Sequence, residues 1–125
     1  EVADTLMARQ RLFHRARRRL SDAQTTAFLF VLTPEKLPIL ETCRAVRSLA
    51  DAGIPVAGAV INRVLPEQAE GSFFAARLAR QRRHLDDIAR QLATLPTVSV
   101  PLQEDDVQGV EALTAFASLM NSAGS

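Results

Sequence analysis

Glycine is scarce in this chain and comes late. Of its five glycines none precedes Gly53, and none is followed by Lys and then Ser or Thr. A phosphate-cradling loop of the G-x-x-x-x-G-K-[ST] type is therefore excluded, and so is a G-x-G-x-x-G turn. Both need glycine where backbone amides close on a phosphate. Lysine is almost missing: Lys36 stands alone among the 15 Lys and Arg residues. The lone Cys43 cannot form an internal disulfide, and two distant histidines, His14 and His84, add no metal-ligand spacing. No metal site and no catalytic triad is expected. Apolar runs stay well short of the ~18 residues that would span a bilayer, and no secretory leader pattern opens the chain. A cytoplasmic setting is the expectation.

What is present is ordinary for a globular domain: 47% hydrophobic and 23% charged residues among 125, with a net charge of +1. That is enough chain for one core, so a single domain over 1–125 is expected. It starts at Glu1 with a helical pattern already running, which reads as a piece of something longer. Over 3–20, Leu6, Phe13, Ala16 and Leu20 fall on one helical stripe. "AFLFVLT" (27–33) is a continuous apolar run of strand length, the pattern of a strand covered on both faces. Pro34 and Pro38 end it and prepare a helix over 38–52, in which Ile39, Leu40, Cys43, Val46 and Leu49 keep helical period. Gly53 supplies the stop.

"PVAGAVIN" predicts a strand over 55–62, and "TVSV" one over 97–100. Between them Phe74, Leu78, Gln81, Leu85, Ile88 and Leu92 form one seam of a helix over 72–93. Beyond Pro101, Asp105 and Asp106 suit the positive start of a last helix over 106–121. The tail 121–125 is expected to fray. Strands alternating with helices imply an α/β fold, a three-layer αβα arrangement with a small, mostly parallel sheet. Three strands are few for an open sheet, which points to partners upstream.

Ligands of such sheets sit beyond the carboxyl ends of the strands. That edge gathers residues 33–35, Asn62 and Arg63, and residues 101–103. Asn62 offers a donor and an acceptor side by side, the pattern that pairs with the N6/N7 edge of adenine. It serves equally well to cap a turn or bond neighbouring backbone. Arg63 reads as a rim residue or a phosphate ligand. Glu35 has the address of a ligand contact but also suits a helix start. Cys43 lies on an apolar stripe and reads as core. The arginine-rich stretches 9–19 and 77–83 lack interleaved aromatics and read as solvated faces with intrahelical pairs, so no nucleic-acid partner is expected.

The segment "FVLTPEKLPILETCRAVRSLADAGIPVAGAVINRVLP" (30–66) closely resembles the C-terminal part of the arsenite-pump-driving and tail-anchored-protein-targeting ATPases. Those are signature-lysine P-loop ATPases that act as nucleotide-sandwiching homodimers. The resemblance runs over about 21–120, carried jointly by T-P-E, E-T-x-R, V-x-N-R, the later P-L and Gly109. It implies a partial P-loop NTPase fold whose N-terminal part, with phosphate loop, switch segments and client-binding helices, lies before Glu1. It also implies that Asn62 contacts adenine and that Pro101, Leu102 and Gln103 close over the base, with Glu35 and Arg63 nearby. The Cys-x-x-Cys that bridges dimers through zinc in eukaryotic members is missing near 67–81, so no zinc is expected.

The chain is thus expected to be the adenine-binding C-terminal part of an ATPase that couples hydrolysis to anion export or client-protein handling, and not catalytic alone. Its cofactor would be ATP, with magnesium held by the missing part. Its partners would be ATP and ADP, a second copy of the parent, and a membrane-pump subunit or client. The rival expectation is a free-standing protein-interaction module that has lost nucleotide binding.

Overall fold

A computed structural model describes residues 1–68 and 71–123. Its elements are α1 (Val2–Leu20), β1 (Phe28–Leu32), α2 (Lys36–Asp51), β2 (Val56–Val64), α3 (Ser72–Gln91), β3 (Thr97–Pro101) and α4 (Gly109–Ala123). The strands form one sheet in the order β1-β2-β3, with both pairings parallel. Each crossover is a helix, α2 and then α3, and these two pack together over one face. The result is the three-layer αβα arrangement.

Several element ends differ from the sequence reading, each for a local reason. α2 begins at Lys36, which places Pro38 in its first turn, where no intrahelical hydrogen bond needs its missing N–H. α4 begins only at Gly109, whose φ of 81° marks the break, so Asp105 and Asp106 stay in the preceding loop. The acid in the first turn is Glu111. Residues 121–123 continue α4 instead of fraying; Gly124 and Ser125 lie outside the described residues.

The core sits between the sheet and the α2/α3 layer. Leu32, Ala59 and Ile61 from the strands meet Ile39 and Cys43 of α2, with Ile88 on α3 and Leu92 at its end. Burial pushes the Cys43 thiol pKa up, with Arg47 pulling partly against it and Asp87 adding to the rise. The residue is core, as its helical stripe implies. Val60 and Val100 are buried apart from this cluster, and α4 packs on β3.

Two surfaces remain open. β1 alternates, with Leu29 and Val31 exposed at 57% and 62% while Leu32 is buried. The expectation of a strand covered on both faces is corrected: within the described residues only one face is covered, because α4 sits over β3 and nothing spreads to β1. Nor is any residue of α1 buried, so its stripe of Leu6, Phe13 and Leu20 faces outward. Its arginines are solvated without intrahelical ion pairs among the described residues. The one acid of α1, Asp4, pairs instead with the N-terminal amine at 3.2 Å.

Candidate functional site

β2 runs two residues past Asn62, and it does so through a bulge. Ile61 pairs with Ser99 and Val64 with Pro101, so β2 carries one extra residue against β3. Arg63 takes up the irregularity at φ 59°, in the left-handed region. For a side chain with a Cβ that conformation costs roughly 1–2 kcal/mol, so neighbouring bonds must hold it. Asn62 Oδ1 accepts the Arg63 N–H at 2.9 Å. Just beyond, the Leu65 N–H donates to Gln81 Oε1 at 2.7 Å, and Gln81 Nε2 donates to the Leu65 carbonyl at 3.0 Å. The strand mouth is thus clasped to α3 by one amide.

β3 is tied in alongside. The Leu102 N–H donates to the Val64 carbonyl at 2.8 Å, and Gln103 Nε2 donates to the Pro101 carbonyl at 2.8 Å. On the other side Glu35 serves as the N-cap position of α2, where its carbonyl accepts the Ile39 N–H at 3.1 Å without a side-chain cap.

These strand ends border an open cleft of about 980 Å³ roofed by the first half of α3. Glu35, Arg63 and Leu102 line it, so three of the six predicted residues come together there. Asn62, Pro101 and Gln103 are not in its wall. Gln103 borders a smaller depression of about 340 Å³ beside α4, next to Glu104, Asp105 and Asp106. The candidate residues therefore split between a cationic cleft on the α2/α3 side and two amides outside its wall, Asn62 bonded to Arg63 and Gln103 bonded to Pro101.

The cleft's remaining wall was not predicted. α3 contributes Phe73, Phe74, Arg77, Arg80 and His84. The two rings meet edge to face with centroids 5.5 Å apart, and the Arg77 guanidinium lies 5.8 Å from the Phe73 centroid. Gln81 did carry a signal, a lone amide within an apolar seam, but its partner was not legible. No group of three or more His, Cys, Asp or Glu able to hold a metal occurs among the described residues. Among those residues, too, no helix is long and apolar enough to cross a membrane.

A model of the anion-transporting ATPase family matches residues 1–122. The chain belongs to that family. Within this ATPase family it is 40% identical over 93 residues to a protein of Aquifex aeolicus (strain VF5) named after arsenical pump-driving ATPases, covering 74% of this chain and 31% of that one. It is 32% identical over 120 residues to the ATPase ARSA1 of Chlamydomonas reinhardtii, covering 92% and 15%. With the ATPase GET3A of Arabidopsis thaliana it shares 35% over 102 residues, covering 80% and 29%. The chain thus spans no more than about a third of the length of these relatives. The three strands and four helices of the described residues are a portion of the P-loop NTPase fold of the anion-transporting ATPases.

The Gln81 clasp can be tested directly. Gln81→Ala removes both bonds to Leu65 and is expected to lower stability by about 1–3 kcal/mol, measured by urea unfolding. An unchanged midpoint would show that the strand mouth is held without it.

Proposed function

We propose that this chain is the base-binding part of an anion-transporting-type ATPase, supplying the adenine contacts while the phosphate loop and magnesium ligands come from elsewhere in the parent. The observation that carries the reading is the state of Asn62. It is half-buried within β2, and its Oδ1 is fixed by the Arg63 N–H at 2.9 Å. A carbonyl oxygen has two lone pairs, so the same Oδ1 can still accept from an adenine N6 amine while Nδ2 donates to N7. Residues 101–103 run on from the end of β3 and are tied to the end of β2, two residues past Asn62, by the Leu102 N–H on the Val64 carbonyl. Leu102 would offer apolar contact to the base plane, and Gln103 a further amide.

In this reading ATP and ADP are the ligands and the parent works as a homodimer. Hydrolysis drives anion export or the handling of a client protein. The chain alone is not catalytic, since none of its residues forms a phosphate loop. Calorimetry with ADP on the parent ATPase is the test. Asn62→Ala should weaken binding by about tenfold or more, the loss of one bidentate base contact, while unfolding midpoints stay within a few degrees. Equal affinity for both proteins would remove Asn62 from the base site.

A further inference from the structure

Gln81 interrupts the apolar seam of α3 between Leu78 and Leu85, and it is half-buried there. Both polar atoms of its side chain go to one residue of another segment. Its Oε1 accepts the Leu65 N–H at 2.7 Å, and its Nε2 donates to the Leu65 carbonyl at 3.0 Å. Leu65 is the first residue past β2 and precedes Pro66, which has no N–H to offer. Backbone groups that leave a strand ladder in a half-buried place still need partners. Meeting an N–H and a carbonyl of one residue takes an acceptor and a donor side by side. An amide has both, whereas an ionised carboxylate has acceptors only and an alkyl chain has neither.

Asn62, the other amide at this strand mouth, depends on how the chain beyond it is held. Its Oδ1 accepts the N–H of Arg63 at 2.9 Å, and Arg63 stands in the left-handed region at φ 59°. That conformation costs about as much as one or two hydrogen bonds contribute, so it persists only where the surroundings over-determine it. Upstream, Ile61 is held by pairing with Leu32 and Ser99. Downstream, the hold consists of the Val64–Pro101 pairing, the Leu102 N–H on the Val64 carbonyl at 2.8 Å, and the two Gln81 bonds. The Arg63 N–H also fixes the sense of the Asn62 amide, because only the oxygen can accept it.

We infer that Gln81 is a positioning residue for base recognition: through Leu65 it holds the backbone at 62–65 so that the Asn62 amide keeps the sense that fits adenine. The inference rests on the base-binding reading of Asn62 and adds a residue of α3 that acts through it. The consequence is selectivity between bases. Inosine diphosphate differs from ADP at the edge concerned, where N7 remains an acceptor but a carbonyl replaces the N6 amine. An Asn62 amide of fixed sense accepts from adenine N6, but with hypoxanthine its oxygen faces another oxygen. Free to turn, the amide can donate to that carbonyl, and the preference narrows.

Calorimetry of the parent ATPase with ADP and with inosine diphosphate measures the preference as a ratio of dissociation constants. Both nucleotides sample the same folded population, so a mere loss of stability cancels from the ratio. The unaltered protein should prefer ADP by about tenfold or more, and Asn62→Ala should remove most of that preference. Gln81→Met keeps the length and volume of the side chain but neither bond, and should lower the preference by about threefold or more. Gln81→Ala should act in the same way. Their effect is smaller than that of Asn62→Ala because the Leu102 tether remains. Two reference variants should keep the full ratio: Ile88→Val, in the core on the same helix, and Gln91→Ala, whose amide bonds Asp87 within α3 at 2.9 Å. The inference is overturned if both Gln81 variants keep the ratio while Asn62→Ala loses it; Gln81 then serves stability alone and the base reading stands. It is overturned as well if Ile88→Val narrows the ratio equally, or if the Gln81 variants weaken both nucleotides alike. If Asn62→Ala itself keeps the ratio, the base reading falls and the inference falls with it.

Discussion

Ile88→Ala is expected to destabilise the chain by about 2–5 kcal/mol, read as a fall of the denaturant midpoint at constant slope. Ile88 is fully buried, at 0% exposure, where α3 meets both α2 and the sheet. The transfer of its lost methyl and methylene groups accounts for only part of that figure. The rest depends on how far the surroundings can close on the void. Here they have little freedom, since Ala59 and Ile61 are fixed by pairing on both sides of β2, and Cys43 and Ile39 by helix α2. A domain's whole stability is about 5–15 kcal/mol, so this one change could remove a large share of it. Ile88→Val, which deletes a single methylene, should cost only about 0.5–1.5 kcal/mol. A loss below about 1 kcal/mol for the alanine variant would mean that α3 does not close the core.

Gly58→Ala is expected to cost about 1–3 kcal/mol, an overpacking effect from adding a single methyl group. A Cβ at this position would stand 2.7 Å from the Pro96 carbonyl oxygen. The oxygen cannot simply withdraw, because it accepts the Ala59 N–H at 2.9 Å just before the β2–β3 pairing begins at Ala59 and Thr97. Relief therefore requires either a lost hydrogen bond or a shift of β3. Thermal melting of the variant beside the unaltered chain measures the effect, and an equal melting temperature would show that the 95–97 turn yields freely. Because Gly58 lies far from the strand mouths, ADP binding by the parent should suffer only through folding.

The alternation of helix and strand was legible because it rests on local period: the apolar runs at 28–32 and 56–61, and the seam from Phe74 to Leu92. What failed were properties set by neighbours far along the chain. The run "FLFVL" reads the same whether one face or two is covered; only the position of α4 over β3 leaves Leu29 and Val31 bare. The polar Asn62 looked like the end of its strand, yet β2 continues through the Arg63 bulge, and an arginine in the left-handed region leaves no mark in sequence. Asp105 and Asp106 looked like helix-start acids because the stop imposed by Gly109 was given no weight. Of the residues expected along the strand-end edge, Glu35, Arg63 and Leu102 line one opening, while Asn62, Pro101 and Gln103 lie outside its wall. Arg77 and Arg80 were read as part of a solvated face with intrahelical pairs; that they line the cleft follows from where α3 crosses the strand ends.

The all-parallel sheet also governs the order in which the chain can acquire structure. No two strands are joined by a tight turn: Phe28 must find Val56, and Ala59 must find Thr97. Each encounter closes a long loop before any pairing compensates for the lost chain entropy, so folding should be slow compared with a helical bundle of this size. As the chain leaves the ribosome, β1 can pair with β2 once Val64 has emerged, while β3 must wait for all of α3. Until then the mouth of β2 lacks both the Gln81 clasp and the Leu102 tether, and Asn62 has no finished neighbour beside it.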